Sequence, residues 1–318
     1  MKLSRMLKTF CAATLVTGLL TACATAPQED TAATPAAPQT DDKLQLFATT
    51  GYLADALHNI APDAEIITLV GPGSDPHTYQ PTTSDINTMR ESDLIFWNGL
   101  HLEAQMVTPL TSLGDKQLAV GEHVDESKLI PVSDPEAPEM HFDPHIWNDP
   151  EIWQDVVDLM ADKLATTDTA NADTYKANAA KYKAEIAAAD QQAQALLSQV
   201  PAPRTLVTGH DAFNYFGKYY GLEVHATDFI STTAARSATE IEELAKLISD
   251  KKIPAIFQDT QANPQAITSL SEAVAARGWQ VRVVEKELYA DTLGAEPEVD
   301  TYLEVLSHNT QTIAEALK

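Results

Sequence analysis

Three histidines and one aspartate, far apart along the chain and each set in a short turn-rich segment, are the residues whose types could do chemistry. His77 lies in Gly73-Ser74-Asp75-Pro76-His77-Thr78-Tyr79-Gln80-Pro81 and His145 in Asp143-Pro144-His145-Ile146-Trp147-Asn148-Asp149-Pro150. His210 lies in Val207-Thr208-Gly209-His210-Asp211-Ala212-Phe213, and Asp291 in Leu288-Tyr289-Ala290-Asp291-Thr292-Leu293-Gly294. Three imidazoles and a carboxylate can close a four-coordinate site for a transition ion such as zinc. A closed site leaves no open position for an activated water, so the chemistry it suggests is capture, not turnover. The rival is a metallohydrolase with Asp291 or Asp259 as general base. Against it, the chain carries no His-Glu-x-x-His pair and no adjacent nucleophile motif.

The elements that must position these residues read as alternating strands and helices. Strands are expected at 44–49, 65–70, 93–97 and 117–120, with helices at 52–61, 83–91 and 102–113 between them. After His145, Asp149 can cap a helix whose first position is Pro150, where the missing N–H costs nothing. That helix buries Trp153, Val156, Val157, Met160 and Leu164. Pro144 interrupts the His141-x-x-x-His145 spacing and argues against a helical metal pair, so His141 is placed in a loop. Ala172 to Val200 is the longest helical signal, rich in Ala, Lys, Gln and Glu. Its apolar positions recur at three, four and seven, and it would reach roughly 40 Å before Pro201 and Pro203 stop it. A second βα series follows, with strands at 205–208, 222–227, 255–258 and 281–284 and helices at 212–220, from the Ser237-Ala238-Thr239-Glu240 capping box, after Asn263-Pro264, and near 299–317. This pattern implies an α/β fold: two βα lobes with mostly parallel sheets, joined by one long connecting helix. His77, His210 and Asp291 fall in or near loops that follow strands, where open α/β sheets bind ligands. Two of the four residues come from each half, which places the site in the cleft between lobes.

The N-terminus reads as an export signal. Lys2, Arg5 and Lys8 precede an apolar run, Phe10 to Leu20, too short to span a bilayer. The run ends in Leu20-Thr21-Ala22-Cys23, which resembles a bacterial lipobox, with Cys23 as the lipidated residue. The other cysteine, Cys11, lies in the segment that would leave, so no intramolecular disulfide is expected in the mature chain. Residues 24–42 are rich in Ala, Thr, Pro, Asp and Gln and read as a flexible tether. The partition is therefore 1–22 signal peptide, 23–42 lipidated cysteine and tether, 43–165 N-terminal lobe, 166–201 connecting helix and 202–318 C-terminal lobe. With Lys2, Arg5 and Lys8 removed, 18 basic residues face 46 acidic ones, a net charge of −28. That balance argues against nucleic acid and against broad adhesion to anionic lipid.

The four motifs, in this order and behind a lipobox, resemble the zinc and manganese receptor family, the metal-binding solute receptors of bacterial ABC importers. The resemblance runs through Leu69-Val70-Gly71-Pro72-Gly73-Ser74-Asp75-Pro76-His77-Thr78-Tyr79, Asn98-Gly99-Leu100-His101-Leu102-Glu103, Asp143-Pro144-His145-Ile146-Trp147, Asn263-Pro264 and Leu288-Tyr289-Ala290-Asp291. It covers essentially the whole chain. It implies two α/β lobes, a rigid helix between them, and one metal held by His77, His145, His210 and Asp291. It implies no enzyme activity, a cognate permease with its ATPase as partners, and a lipid anchor facing the periplasm or extracytoplasmic space; a monomer is the default expectation. Manganese-preferring relatives often carry Glu at the third ligand position; His210 stands there, and imidazole favours Zn2+ with Mn2+ as the alternative. The acid-containing segment from Ser133 to His141 lacks the histidine-rich character common in zinc-dedicated relatives, and the segment around His101 looks like the branch that handles either metal. Asp259 stands where relatives commonly show Glu and is expected to orient a ligand histidine through its other ring nitrogen. His101 is assigned a place near the site rather than on the metal, and Arg236 receives no role. A surface adhesin with a structural metal is the remaining alternative.

Overall fold

The first half is built around a four-stranded parallel sheet. Strand β1 (Gln45–Thr50) sits between β2 (Glu65–Val70) and β3 (Leu94–Trp97), and β4 (Gln117–Ala119) extends the far edge, giving the order β2-β1-β3-β4. Register is set by burial on both faces. Along β1, Leu46 and Ala48 enter the main core, while Phe47 points the other way into a separate cluster with Met89, Ile95, Trp97 and Leu110. This is the period-two alternation of a strand covered on both sides. Helix α1 (Gly51–Ile60) starts directly from β1, with the Thr50 side chain accepting from the Leu53 N–H. Helix α2 (Thr83–Glu91) opens with a capping box between Thr82 and Asp85.

The computed structural model describes residues 43–132, 137–232, 236–261 and 263–318. The signal segment, Cys23, the tether and part of the acidic segment at 133–136 lie outside the described residues. Among the described residues, no helix is long and apolar enough to cross a membrane.

One helix is shorter than its sequence pattern. Residues 102–113 form only α3 (Val107–Thr111), because the chain entering it is occupied by a left-handed turn. Gly99, Leu100 and His101 have φ of 77, 53 and 68°, a conformation costly for the two non-glycine residues. The buried Glu103 carboxylate holds the turn by accepting from the N–H groups of Asn98 and Gly99 and from the Thr49 hydroxyl.

Helix α4 (Pro150–Thr167) begins as expected, capped by Asp149. Helix α5 (Ala172–Leu197) follows, 26 residues long and so about 39 Å. Its first half is tied to α1: Asn178 donates to the Ile60 carbonyl and Tyr182 to Asp55. Near its end, Asp190 accepts from Tyr219 and Tyr220 of the second half. The Arg204 guanidinium takes the Leu197 and Val200 carbonyls at 2.7 and 3.0 Å, satisfying acceptors that the helix end leaves open.

The second half comprises β5 (Thr205–Thr208), α6 (Asn214–Tyr220), β6 (Glu223–Ala226), α7 (Ala238–Lys251), β7 (Ala255–Asp259), α8 (Pro264–Ala276), β8 (Arg282–Leu288) and α9 (Tyr302–Ala316). Its strands form two parallel pairs, β5-β6 and β7-β8. The two lobes share one core: a single cluster contains Leu46 and Phe96, Trp153 and Tyr182 of the central helices, and Phe216, Leu293 and Ile313. The expected α/β architecture with two lobes and parallel sheets is what the chain adopts.

Candidate metal centre

Each of the four residues is delivered by a backbone device that follows from its local sequence. His77 lies beyond β2, where the Asp75 carboxylate accepts from the His77 N–H at 2.8 Å and from the Thr78 hydroxyl at 2.9 Å. His145 repeats the Asp-Pro-His triplet: Asp143 accepts from its N–H at 3.0 Å, and a single 3-10 turn (Ile146–Asn148) leads into α4. His210 follows β5, its N–H donating to Asp259 at 2.9 Å. Asp291 follows β8, its N–H directed at Gln261 Oε1 at 3.3 Å.

These four side chains converge. His145 Nε2 lies 3.2 Å from His77 Nε2 and 3.1 Å from His210 Nε2. Asp291 places Oδ1 3.3 Å from His145 Nε2, and Oδ2 3.2 Å from His210 Nε2 and 3.7 Å from His77 Nε2. One ligand atom from each residue lies within 4.8 Å of all the others. A tetrahedron with metal–nitrogen bonds of about 2.05 Å has edges of about 3.3 Å. His77 is 3% exposed and the other three residues 0%, so the centre is closed to solvent.

The buried Asp291 carboxylate needs positive charge beside it. Both Asp291 oxygens are buried, and their close polar neighbours are the three Nε2 atoms. An ionised carboxylate so placed is costly unless a proton or a metal ion lies between it and the rings. Burial pushes the Asp291 carboxyl up, but His210 and His145 outweigh it and hold it well below the usual range. Burial lowers His145, yet Asp143 and Asp291 together raise it to about 10. His210 is also raised: burial opposes this and Asp291 overcomes it. His77 goes the other way, to about 3, because burial and the two neighbouring imidazoles outweigh Asp291.

The orientation of the rings corrects one expectation. Asp259 touches no ring: its Oδ2 accepts from the backbone N–H groups of Gly209 and His210, at 3.0 and 2.9 Å. A carboxylate at the end of β7 is placed to hold the β5 loop, while the His210 Nδ1 faces the Phe229 carbonyl at 3.1 Å. The residue that orients a ring by its carboxylate is Asp143, whose Oδ1 lies 2.7 Å from His145 Nδ1. The repeated triplet Asp75-Pro76-His77 and Asp143-Pro144-His145 was the signal for it. Neither the role of Phe229 nor that of Gln261 has a local signal.

His101 is not brought to the four residues. It lines a cavity of about 250 Å³ that also reaches His77, together with Gln105, Glu139, Met140 and Ser231. His141 is exposed, and its carbonyl takes part in a short antiparallel bridge, as its loop assignment implied. Trp147 packs in the core and also ties the halves together: its Nε1 donates to the Ala290 carbonyl at 2.9 Å, with Tyr52 stacked on it at 5.0 Å. This fixes the residue immediately before Asp291.

Known proteins resemble this chain over most of its length. Residues 46–316 match the family model described as zinc-uptake complex component A, periplasmic. The chain is 35% identical over 312 residues to the zinc-binding protein TroA of Treponema pallidum, covering 96% of this chain and 97% of that one. It is 32% identical over 283 residues to the manganese-binding lipoprotein MntA of Bacillus subtilis, covering 87% and 91%. The solved structure of the periplasmic zinc-binding TroA of Treponema pallidum superimposes with a TM-score of 0.80, covering 86% of this chain and 99% of that one.

Proposed function

The chain belongs to the family of periplasmic zinc-uptake components, and on that footing we propose that His77, His145, His210 and Asp291 together capture one divalent transition ion, with zinc preferred, for delivery to an ABC permease and its ATPase. The protein is a substrate-binding component and not an enzyme. The observation that carries the reading is the buried Asp291 carboxylate, ringed by three Nε2 atoms at 3.2–3.7 Å. A divalent ion satisfies that carboxylate and all three imidazoles at once. The residue set matches zinc in number, donor type and spacing.

Manganese is the second reading, favoured by the likeness to MntA and by a carboxylate that could bind through both oxygens. The same proposal includes acylation of Cys23, a tether over 24–42, a monomeric receptor facing the extracytoplasmic space, and lobes over 43–165 and 202–318 flanking the connecting segment. Lipoprotein relatives such as MntA support the anchor.

Competitive loading of residues 24–318 with equimolar zinc and manganese, followed by elemental analysis, tests the reading. One zinc per chain with little manganese is expected. Substantial manganese transfers the assignment to manganese or dual uptake, and neither metal bound overturns the four-residue site.

A further inference from the structure

Two of the three ring orientations trace back to one side chain that no motif singles out. His145 Nδ1 lies 2.7 Å from Asp143 Oδ1. The other Asp143 oxygen accepts from Asn214 Nδ2 at 3.0 Å, and Asn214 uses the same amide nitrogen on Asp211 Oδ1 at 2.9 Å. Asp211 Oδ2 accepts from Arg236 Nη2 at 3.1 Å. An amide nitrogen has two hydrogens, so every link can be made simultaneously. His210 is reached by a second path. Its Nδ1 faces the Phe229 carbonyl at 3.1 Å, and the Phe229 ring lies under the Arg236 guanidinium at 5.0 Å. Arg236 also fixes this loop directly, donating from Nε to the Ala226 carbonyl at 2.9 Å and from its backbone N–H to the Thr227 carbonyl at 3.0 Å.

We propose that Arg236 is a positioning residue for metal capture, setting the ring orientation of His145 through Asn214 and of His210 through the loop that carries Phe229. The His77 loop is held by Asp75, which also accepts from the Thr232 hydroxyl at 2.7 Å. The inference rests on the reading of the four residues as a metal site. Two physical reasons make arginine the fitting side chain. Asp143 and Asp211 are acceptors linked by one neutral amide, and the Arg236 guanidinium at the end of the chain donates to the Asp211 oxygen that Asn214 leaves open. A planar guanidinium can also donate from Nε, donate from Nη2 and stack on an aromatic ring at once, which a lysine ammonium cannot. The side chain is 26% exposed, so the network runs from the closed centre to the surface.

The test compares unaltered protein with Arg236→Met, Arg236→Lys and Asn214→Ala, using zinc as the probe. Zinc affinity is measured by competition with a chromophoric chelator, and the ring N–H resonances of the zinc-loaded proteins by NMR. Groups that orient metal-ligating histidines typically affect affinity about 10- to 100-fold. Arg236→Met is expected to weaken zinc about tenfold and to shift the Nδ1–H resonances of both His145 and His210, with Arg236→Lys restoring part of the affinity. Asn214→Ala, which cuts one branch only, should shift His145 and leave His210 in place. Should Arg236→Met fail to fold, the Arg236→Lys and Asn214→Ala pair still decides. Unchanged affinity and unchanged resonances in the folded variants overturn the inference, as does a loss of thermal stability with no change in either. Failure of the unaltered protein to bind zinc instead removes the metal-site reading on which the inference stands.

Discussion

His145 Nδ1 lies 2.7 Å from the Oδ1 of Asp143, two residues earlier in the chain, and this contact decides that Nε2 is the nitrogen facing the centre. A proton held on Nδ1 by the carboxylate leaves the Nε2 lone pair free for a metal and makes it a better donor.

Asp143→Asn keeps the shape and removes the charge. Zinc affinity is expected to fall by about 10- to 100-fold, while the far-ultraviolet circular dichroism stays that of the unaltered protein. An affinity within twofold of the unaltered protein would show that the carboxylate does not tune the ligand.

Proton release follows from the same group. In the cation-free fold His145 titrates near 10, against about 6.5 when unfolded. Its pairing therefore favours the cation-free fold fully below about pH 6.5, and that contribution is lost as pH rises through about 10. Metal needs the neutral ring, so binding at pH 7 must expel at least the His145 proton, whereas His77, held near 3, has none to lose. Apparent affinity should rise with pH, by about tenfold per unit for each proton displaced. Calorimetric enthalpies that do not depend on the ionisation enthalpy of the buffer would contradict this.

Selectivity is expected to respond to the third ligand. His210→Glu replaces an imidazole by a hard oxygen donor, so the zinc-to-manganese ratio in competitive loading should fall. A ratio that stays constant would place selectivity elsewhere in the site.

Metal removal should loosen the centre without unfolding the body. The shared core, from Leu46 and Phe96 through Trp153 to Ile313, is held by apolar packing that does not depend on a metal. Zinc at a thousandfold excess over Kd would stabilise by about 4 kcal/mol, and chelation should lower Tm accordingly while circular dichroism at 25 °C is retained. Loss of that signal on chelation would favour a structural metal.

A second titration lies away from the centre. Burial raises Asp55 to about 6, although Tyr182 and the Tyr302 N–H both donate to it. Its folded pKa exceeds the unfolded value of about 3.9, so its contribution favours folding below about pH 4 and is lost as pH rises through about 6. Asp55→Asn should therefore raise stability at pH 8, by up to about 2–3 kcal/mol, and flatten the pH dependence between 4 and 6. A lower Tm at pH 8 would mean that the lost carboxylate geometry outweighs the relieved charge.

Local chemistry made much of this protein legible from its residues alone. The bounds of β2, α2 and β5 match the expected 65–70, 83–91 and 205–208, because turn residues and short apolar runs act within a few residues. The four site residues stand out for the same reason: each sits in its own turn motif. The shortened α3 shows where local pattern fails, since the left-handed turn at Gly99-Leu100-His101 depends on Glu103 reaching back to Thr49, a partner distant in sequence. Tertiary structure alone decided that residues spanning positions 77 to 291 meet within 4.8 Å, that Asp259 holds a backbone and Asp143 a ring, and that Arg236 stands behind two of the rings. Residue types limit which atoms can donate or accept, but which of them meet depends on how strands, helices and the shared core pack, and that is a property of the whole chain.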